Sequence, residues 1–303
     1  MHLAGIVFKL LSVTFFSFMM VAIKLVSDDV PIGQIVFARS LFGFIPLFIM
    51  IAVQRQFASA LKTDNISGHV WRGFVGGIAM GGSFVALHYL ALHDAVAISY
   101  AAPLIAVLLA PFLLDERVGK VRIIAVVIGL SGVLLIVSPH LGESLEMSAP
   151  IIGAIFAILA AVGSAFAMIQ VRHLTRTETN SSIIFYFSIV TTVGSLLTLP
   201  FGWVMPDPYQ GMLLIGLGLA GGLGQLCLTQ SYRLAPVSVV APFDYTSMLF
   251  ALGFAILIFG DVPQPIVLVG AGIVIAAGIF VILRERWLGI QRPRTPGVRS
   301  NQM

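Results

Sequence analysis

The residues able to do chemistry in this chain are few, and they lie in apolar surroundings. Asp244 sits in APFDYTSMLF, residues 241–250, inside a run almost free of charge from Leu234 to Gly260. An ionised carboxylate at membrane depth costs at least about 2.5 kcal/mol on insertion scales, so it must face the helix bundle, water or a cation. Such a group can hold a cationic cargo or a proton, which makes Asp244 the candidate for both cargo binding and coupling. The ordinary alternative is a salt bridge, or a protonated carboxyl satisfied by its neighbours. Arg39 and Lys24 are the charges to consider as its partners. Lys24 lies near the end of its apolar stretch, where snorkelling to the interface accounts for it. Arg39, between VFA and SLFGF, lies deeper, and its fixed fork of donors suits a carboxylate or phosphate on a bound molecule.

Tyr100 and Tyr245 each precede an acidic residue, Glu116 and Asp261, by sixteen positions. They are expected on opposite sides of one cavity, stacking on a flat ligand or donating hydrogen bonds; the alternative is aromatic packing with a satisfied hydroxyl. Gln170, Gln225, Gln230, Ser17, Ser83 and His88 extend the polar set. Each taken alone reads as an interhelical hydrogen bond, and together they describe a cavity that is polar without being highly charged.

Other chemistries find little support. GLGLAG, residues 216–221, fits the dinucleotide fingerprint, with Asp244 downstream, but no strand precedes it and it lies mid-span. Its glycines, with Gly73, Gly77, Gly81 and Gly82, instead follow the spacing that brings helices close. No G-x-x-x-x-G-K-[ST] loop occurs. The six histidines show no paired ligand spacing, so neither a metal nor a cofactor is expected, and the single cysteine, Cys227, has no internal disulfide partner. Asp115 and Glu116 beside Arg117 read as a helix-end charge cluster rather than the acid-rich site of a lipid-modifying enzyme.

The elements that must position these residues follow from composition. Hydrophobic residues make up 58% of the 303, charged residues only 10%, and the mean hydropathy is +1.03, against roughly 25% charged in soluble domains. Apolar stretches approach or exceed the roughly 20 residues that a helix needs to cross a bilayer, and the alternating pattern of a barrel is missing. The expected fold is an all-α integral membrane protein. Its ten spans are placed at 5–26, 34–53, 70–92, 96–114, 121–138, 150–171, 181–201, 211–231, 237–259 and 265–283. The first contains Lys9 and Lys24 and no small-residue cleavage site follows it, so it reads as an uncleaved helix.

With both termini cytoplasmic, Arg55, Lys62, Arg72, Arg117, Lys120, Arg122, Arg172, Arg176, Arg233 and the tail from Arg284 to Arg299 fall inside. Asp28, Asp29, Asp94, Glu143, Glu146, Asp207 and Asp261 fall outside. That split obeys the positive-inside rule and would be destroyed by an odd number of spans. The expected location is a bacterial inner membrane. The net charge of +4 belongs to anionic lipid at the inner leaflet, not to nucleic acid.

The chain also repeats itself. AISYAAPLIAVLLAPFLLDE (97–116) aligns with PFDYTSMLFALGFAILIFGD (242–261), and QIVFARS (34–40) with SIIFYFS (182–188), in the same order at nearly the same offset. Five spans per half make the two copies inverted, a recurring plan of secondary transporters. The expected units are residues 1–143, 144–286 and a basic cytoplasmic tail, 287–303.

This layout, with RLAPVSVVAPFDYTSMLFALGFAILIFGDVPQP in the second half, resembles the EamA-type drug/metabolite transporters over residues 5–286. The resemblance implies a central cavity lined by the first four spans of each half, with the fifth and tenth at the periphery. It also implies small-molecule cargo from amino acids and nucleosides to drugs and cofactor-like metabolites. Among its members the pattern is similar to bacterial carriers for riboflavin or S-adenosylmethionine uptake. The functional expectation is secondary active transport by alternating access of a small polar or zwitterionic metabolite, with a proton as coupling ion and a homodimer as assembly. An exporter of amino acids or drugs on the same fold is the alternative within the class; a membrane enzyme or a channel are the alternatives outside it.

Overall fold

A computed structural model describes residues 3–53, 61–113, 119–140, 148–174, 177–235 and 237–287. The expected division at 143–144, the tail beyond Trp287, and the charges at 55, 117, 143, 146 and 176 lie outside the described residues.

The described residues form ten helical spans and no strand. They are α1 (Leu3–Val26), α2 (Ile32–Phe42, continuing as Phe44–Val53), α3 (Ile66–Tyr89), α4 (Leu92–Ser99, continuing as Ala101–Leu113), α5 (Lys120–Val137), α6 (Ala149–Leu174), α7 (Asn180–Leu196), α8 (Pro208–Leu234), α9 (Val237–Val240 to Ala255–Phe259) and α10 (Pro265–Trp287). Eight contain windows long and apolar enough to cross a membrane, and the remaining two, α5 and α7, include shorter apolar helices at 123–137 and 181–196.

Starts are set by side-chain caps where the sequence supplies them. Asn65 accepts from the Gly68 N–H at the head of α3, Thr179 from Ser182 at α7, and Asp207 forms a capping box with Gln210 at α8. Three spans are broken internally, each beside a proline. Pro46 follows the Gly43 break of α2 and Pro103 the Tyr100 break of α4 by three residues; in α9 Pro242 lies within a 3₁₀ turn, Ala241–Tyr245. A proline removes the N–H that would bond four residues back and crowds that carbonyl, so the helix tightens or parts there. Both tyrosines singled out above thus sit at breaks, in equivalent spans of the two halves.

Helix contacts expose the inversion. Ser12 Oγ donates to the Gly224 carbonyl and Ser231 Oγ to that of Gly5, so α1 and α8 run antiparallel. Their counterparts five spans on, α6 and α3, cross in the same sense, with Gly82 against Ala160 and Gly153 against Leu90. The fifth span lies antiparallel against its own counterpart, as Gly132 meets Gly270 and Gly129 meets Ala277. α2 likewise meets α7, where Ser40 Oγ donates to Thr191 Oγ1 at 2.8 Å. Equivalent helices running in opposite directions side by side are what two inverted five-helix repeats require. The main contacts of α5 and α10 are with each other and with α4 and α9, which puts this pair at one edge of the bundle.

Lipid tails are as apolar as leucine, so small residues at crossings hold these helices rather than a hydrophobic drive. At the α2–α8 crossing Gly218 faces Phe42 and Gly222 faces Gly43 and Pro46, at distances that leave no room for a methyl group. Large side chains such as Leu257, Phe112 and Leu249 point outward.

Candidate functional site

Asp244 does not pair with Arg39 or Lys24. Its carboxylate is 2.6 Å from Lys9 Nζ of α1, a cation 1% exposed, while the Asp244 side chain remains 47% exposed. The break in α9 positions it, because the 3₁₀ turn carries Asp244 out of helical register toward α1. Lys9 is a site residue the spacing did not single out; the available signal was a lysine six residues into the first apolar span. The pair joins the first and ninth spans, hence opposite repeats. With Lys9 buried and Asp244 half open, breaking the pair costs less than the about 3–5 kcal/mol typical of a fully buried one.

Tyr100 and Tyr245 do not face each other across a cavity, as expected from inversion. Their rings meet edge to face, centroids 5.0 Å apart, and both are buried. The cause is the pair of breaks, which lets α4 and α9 come together at these residues. Ser247 Oγ donates to the Asp244 carbonyl at 2.7 Å, so Tyr100 Oη supplies its proton to Ser247 Oγ at 2.6 Å. A short chain of hydrogen bonds therefore links α4 of one repeat to the backbone of Asp244 in the other.

Arg39 occupies a different part of the bundle. It is buried in α2, 7% exposed, with its guanidinium carbon 5.7 Å from the centre of the Phe187 ring in α7. Arg72, counted above among cytoplasmic charges, lies within α3, 9% exposed and 3.8 Å from the centre of the same ring. The start of α3 at Ile66, drawn back by the Asn65 cap, places Arg72 inside the span. Arg39 Nε and Arg72 Nε and Nη1 are buried without a hydrogen-bond partner. A desolvated cation on an aromatic face recovers about 2 kcal/mol, less than the several kcal/mol that burying each ion costs. Stability alone does not explain the two arginines.

The other expected residues are dispersed. His88 Nδ1 lies 3.1 Å from Asp28 Oδ1 near the connections α1–α2 and α3–α4, away from the Lys9 end of α1. Lys24 donates to the carbonyls of Leu90 at 2.7 Å and His88 at 3.4 Å, capping α3. Ser17 Oγ is satisfied by the Val13 carbonyl and Ser83 Oγ by that of Ala79, each one turn back. Gln225 and Gln230 on α8 and Gln170 on α6 are half-buried. Asp94, expected in an outer loop, is buried in the first turn of α4, 3.3 Å from His93 Nε2, where unpaired helix N–H groups favour an acid. These two, with Asp261 and Gln264, line a small pocket of about 260 Å³ between the ends of α4, α5 and α9.

Comparison with known proteins supplies the remaining context. A family model described as "EamA-like transporter family" matches twice, over residues 3–138 and 151–284. The pseudopaline exporter CntI of Pseudomonas aeruginosa is 27% identical over 280 residues, covering 91% of this chain and 95% of that protein. An S-adenosylmethionine uptake transporter of Rickettsia prowazekii is 28% identical over 285 residues, covering 94% of each. One solved crystal structure superposes with a TM-score of 0.66 at 16% identity, over 94% of this chain and 98% of that one, a likeness of fold alone.

Proposed function

This chain belongs to the EamA-like transporter family and is a membrane transporter rather than an enzyme; from that premise we propose that it is a secondary active carrier of a small polar metabolite. Transport proceeds by alternating access, with the two repeats, 1–143 and 144–286, rocking against each other in a bacterial inner membrane, both termini cytoplasmic. The cargo is cofactor-like or amino-acid-like. S-adenosylmethionine is the first compound to test, because one relative is named for its uptake; since another is named an exporter, direction is read from the assay.

The observation that carries this reading is the Lys9–Asp244 ion pair between opposite repeats, with one partner fully buried and the other half open. A contact of that kind can be made in one state of a rocking carrier and broken in another. Protonation of Asp244 removes a charge that faces Lys9, and a cationic cargo group competes with Lys9 for the carboxylate; either loosens this contact, so Asp244 serves both binding and coupling. Tyr100 and Tyr245 form the aromatic seal beside it, and Arg39, Gln225, Gln230 and Gln170 meet the cargo elsewhere along its passage. Ser17 and His88 are at most peripheral to binding, given their local partners.

Saturable counterflow of radiolabelled S-adenosylmethionine, riboflavin and amino acids in proteoliposomes tests the proposal, with cross-linking as the readout for the expected homodimer. Counterflow by at least one of these is the expected result, and Asp244→Asn should lose both rate and pH dependence. Full rate and unchanged pH dependence in that variant would remove Asp244 from coupling.

A further inference from the structure

We propose that Arg39 and Arg72 form a binding site for one oxyanion, a carboxylate or phosphate group of the transported molecule, with Phe187 as its floor. The inference deepens the carrier reading and rests on it.

Three spans build the site: α2 brings Arg39, α3 brings Arg72 and α7 brings the Phe187 ring that both approach. Because both guanidinium carbons are measured from one ring centre, their separation cannot exceed the sum of those two short distances. We place one oxyanion beside that ring, where it would be shared by the two forks. Each arginine is more than nine-tenths buried, and Nε of Arg39 with Nε and Nη1 of Arg72 have no acceptor among the described residues. Among the described residues neither guanidinium has a carboxylate within ion-pair distance. One turn before Arg72 on α3, His69 Nε2 lies 3.4 Å from Glu178 Oε2.

The backbone makes room for this arrangement. Gly221 of α8 lies opposite Arg39, where an added Cβ would come within 3.1 Å of Nε, and Gly76 of α3 lies opposite Phe187, also at 3.1 Å. Two like charges brought to one ring repel, and only an anion between them turns that repulsion into attraction. Paired forks match the oxygens of a carboxylate or phosphate with charge-assisted bonds of about 2.7–2.9 Å.

The test is thermal unfolding of the full chain in phosphate-free detergent, at constant ionic strength, with chloride exchanged for acetate or for inorganic phosphate. The wild type should show a saturable rise in Tm; a rise with acetate alone assigns a carboxylate cargo, with phosphate alone a phosphorylated one, and with both the shared chemistry. Arg39→Gln and Arg72→Gln break no hydrogen bond among the described residues, so their ligand-free Tm should equal or exceed that of the wild type. Their half-saturation should move up by about tenfold or more. Arg39→Lys and Arg72→Lys, which keep the charge and lose the fork, should fall between. No saturable rise in the wild type, a rise retained by both glutamine variants, or ligand-free variants that melt well below the wild type would each overturn the site. Counterflow on the same preparations separates the two readings: counterflow without an anion effect removes the oxyanion site and leaves the carrier, and an anion effect without counterflow does the reverse.

Discussion

Lys9 and Asp244 form one charged contact between the two repeats, and its worth can be measured. Asp244→Asn should lower stability by about 1–3 kcal/mol, since Lys9 loses one countercharge while the half-open carboxylate was partly screened by water. Lys9→Met in the Asp244→Asn background should recover most of that loss, giving an interaction energy of about 1–3 kcal/mol in a double-mutant cycle. Unfolding measured in detergent decides it; strictly additive single effects would mean that the pair is close without being coupled. Tyr100→Phe is milder. It removes the proton given to Ser247 and should cost about 0.5–1.5 kcal/mol, leaving the edge-to-face contact with Tyr245 in place. At this scale the sequence exposed the unusual charges but not their partners. Asp244 and Arg39 were legible because charge in an apolar run is costly; Lys9 and Arg72 were not, because a cation near a span end is ordinarily explained by the interface.

Among the elements, the crossings depend on the absence of side chains at particular glycines. Gly270→Val should destabilise the α5–α10 pair by about 1–3 kcal/mol or more, because a Cβ there would lie 2.6 Å from the Gly132 carbonyl oxygen. Gly216→Ala, where nothing lies within 4 Å, should be neutral or stabilise by about 0.5–1 kcal/mol through helix propensity. Equal effects from the two substitutions, read as thermal midpoints of purified protein, would count against the crossing geometry. Element existence was readable from apolar length alone, with expected boundaries within four residues of the observed ones for most spans. The breaks at Gly43, Tyr100 and Ala241–Tyr245 were not, since a proline in a transmembrane helix is tolerated in several geometries and its neighbours choose among them.

For the molecule as a whole, the proposed alternating access requires the α2–α7 contact, a meeting of counterpart helices, to permit relative motion. In a Cys227→Ala background, Ser40→Cys with Thr191→Cys should form a disulfide on oxidation, because the native oxygens are 2.8 Å apart. Counterflow should then fall at least about tenfold and return on reduction, as expected when one element of an alternating-access cycle is pinned. An oxidised, cross-linked protein that still transports at full rate would rule out rocking at this interface. Tags placed at the two chain ends should be accessible from the same side of the membrane, which an odd number of spans would forbid.

Sequence alone determined the solvent, the number of spans and the internal duplication, because each is written in local hydropathy and in order along the chain. It also determined that a few charges must face inward, since lipid leaves them no alternative. Which charges meet was decided only in three dimensions. Lys9 finds Asp244 across 235 residues, and Arg39 finds Arg72 around Phe187. Such meetings depend on helix crossings and on where prolines break the spans. The short range of the interactions themselves makes them invisible to any reading that moves along the chain one neighbourhood at a time.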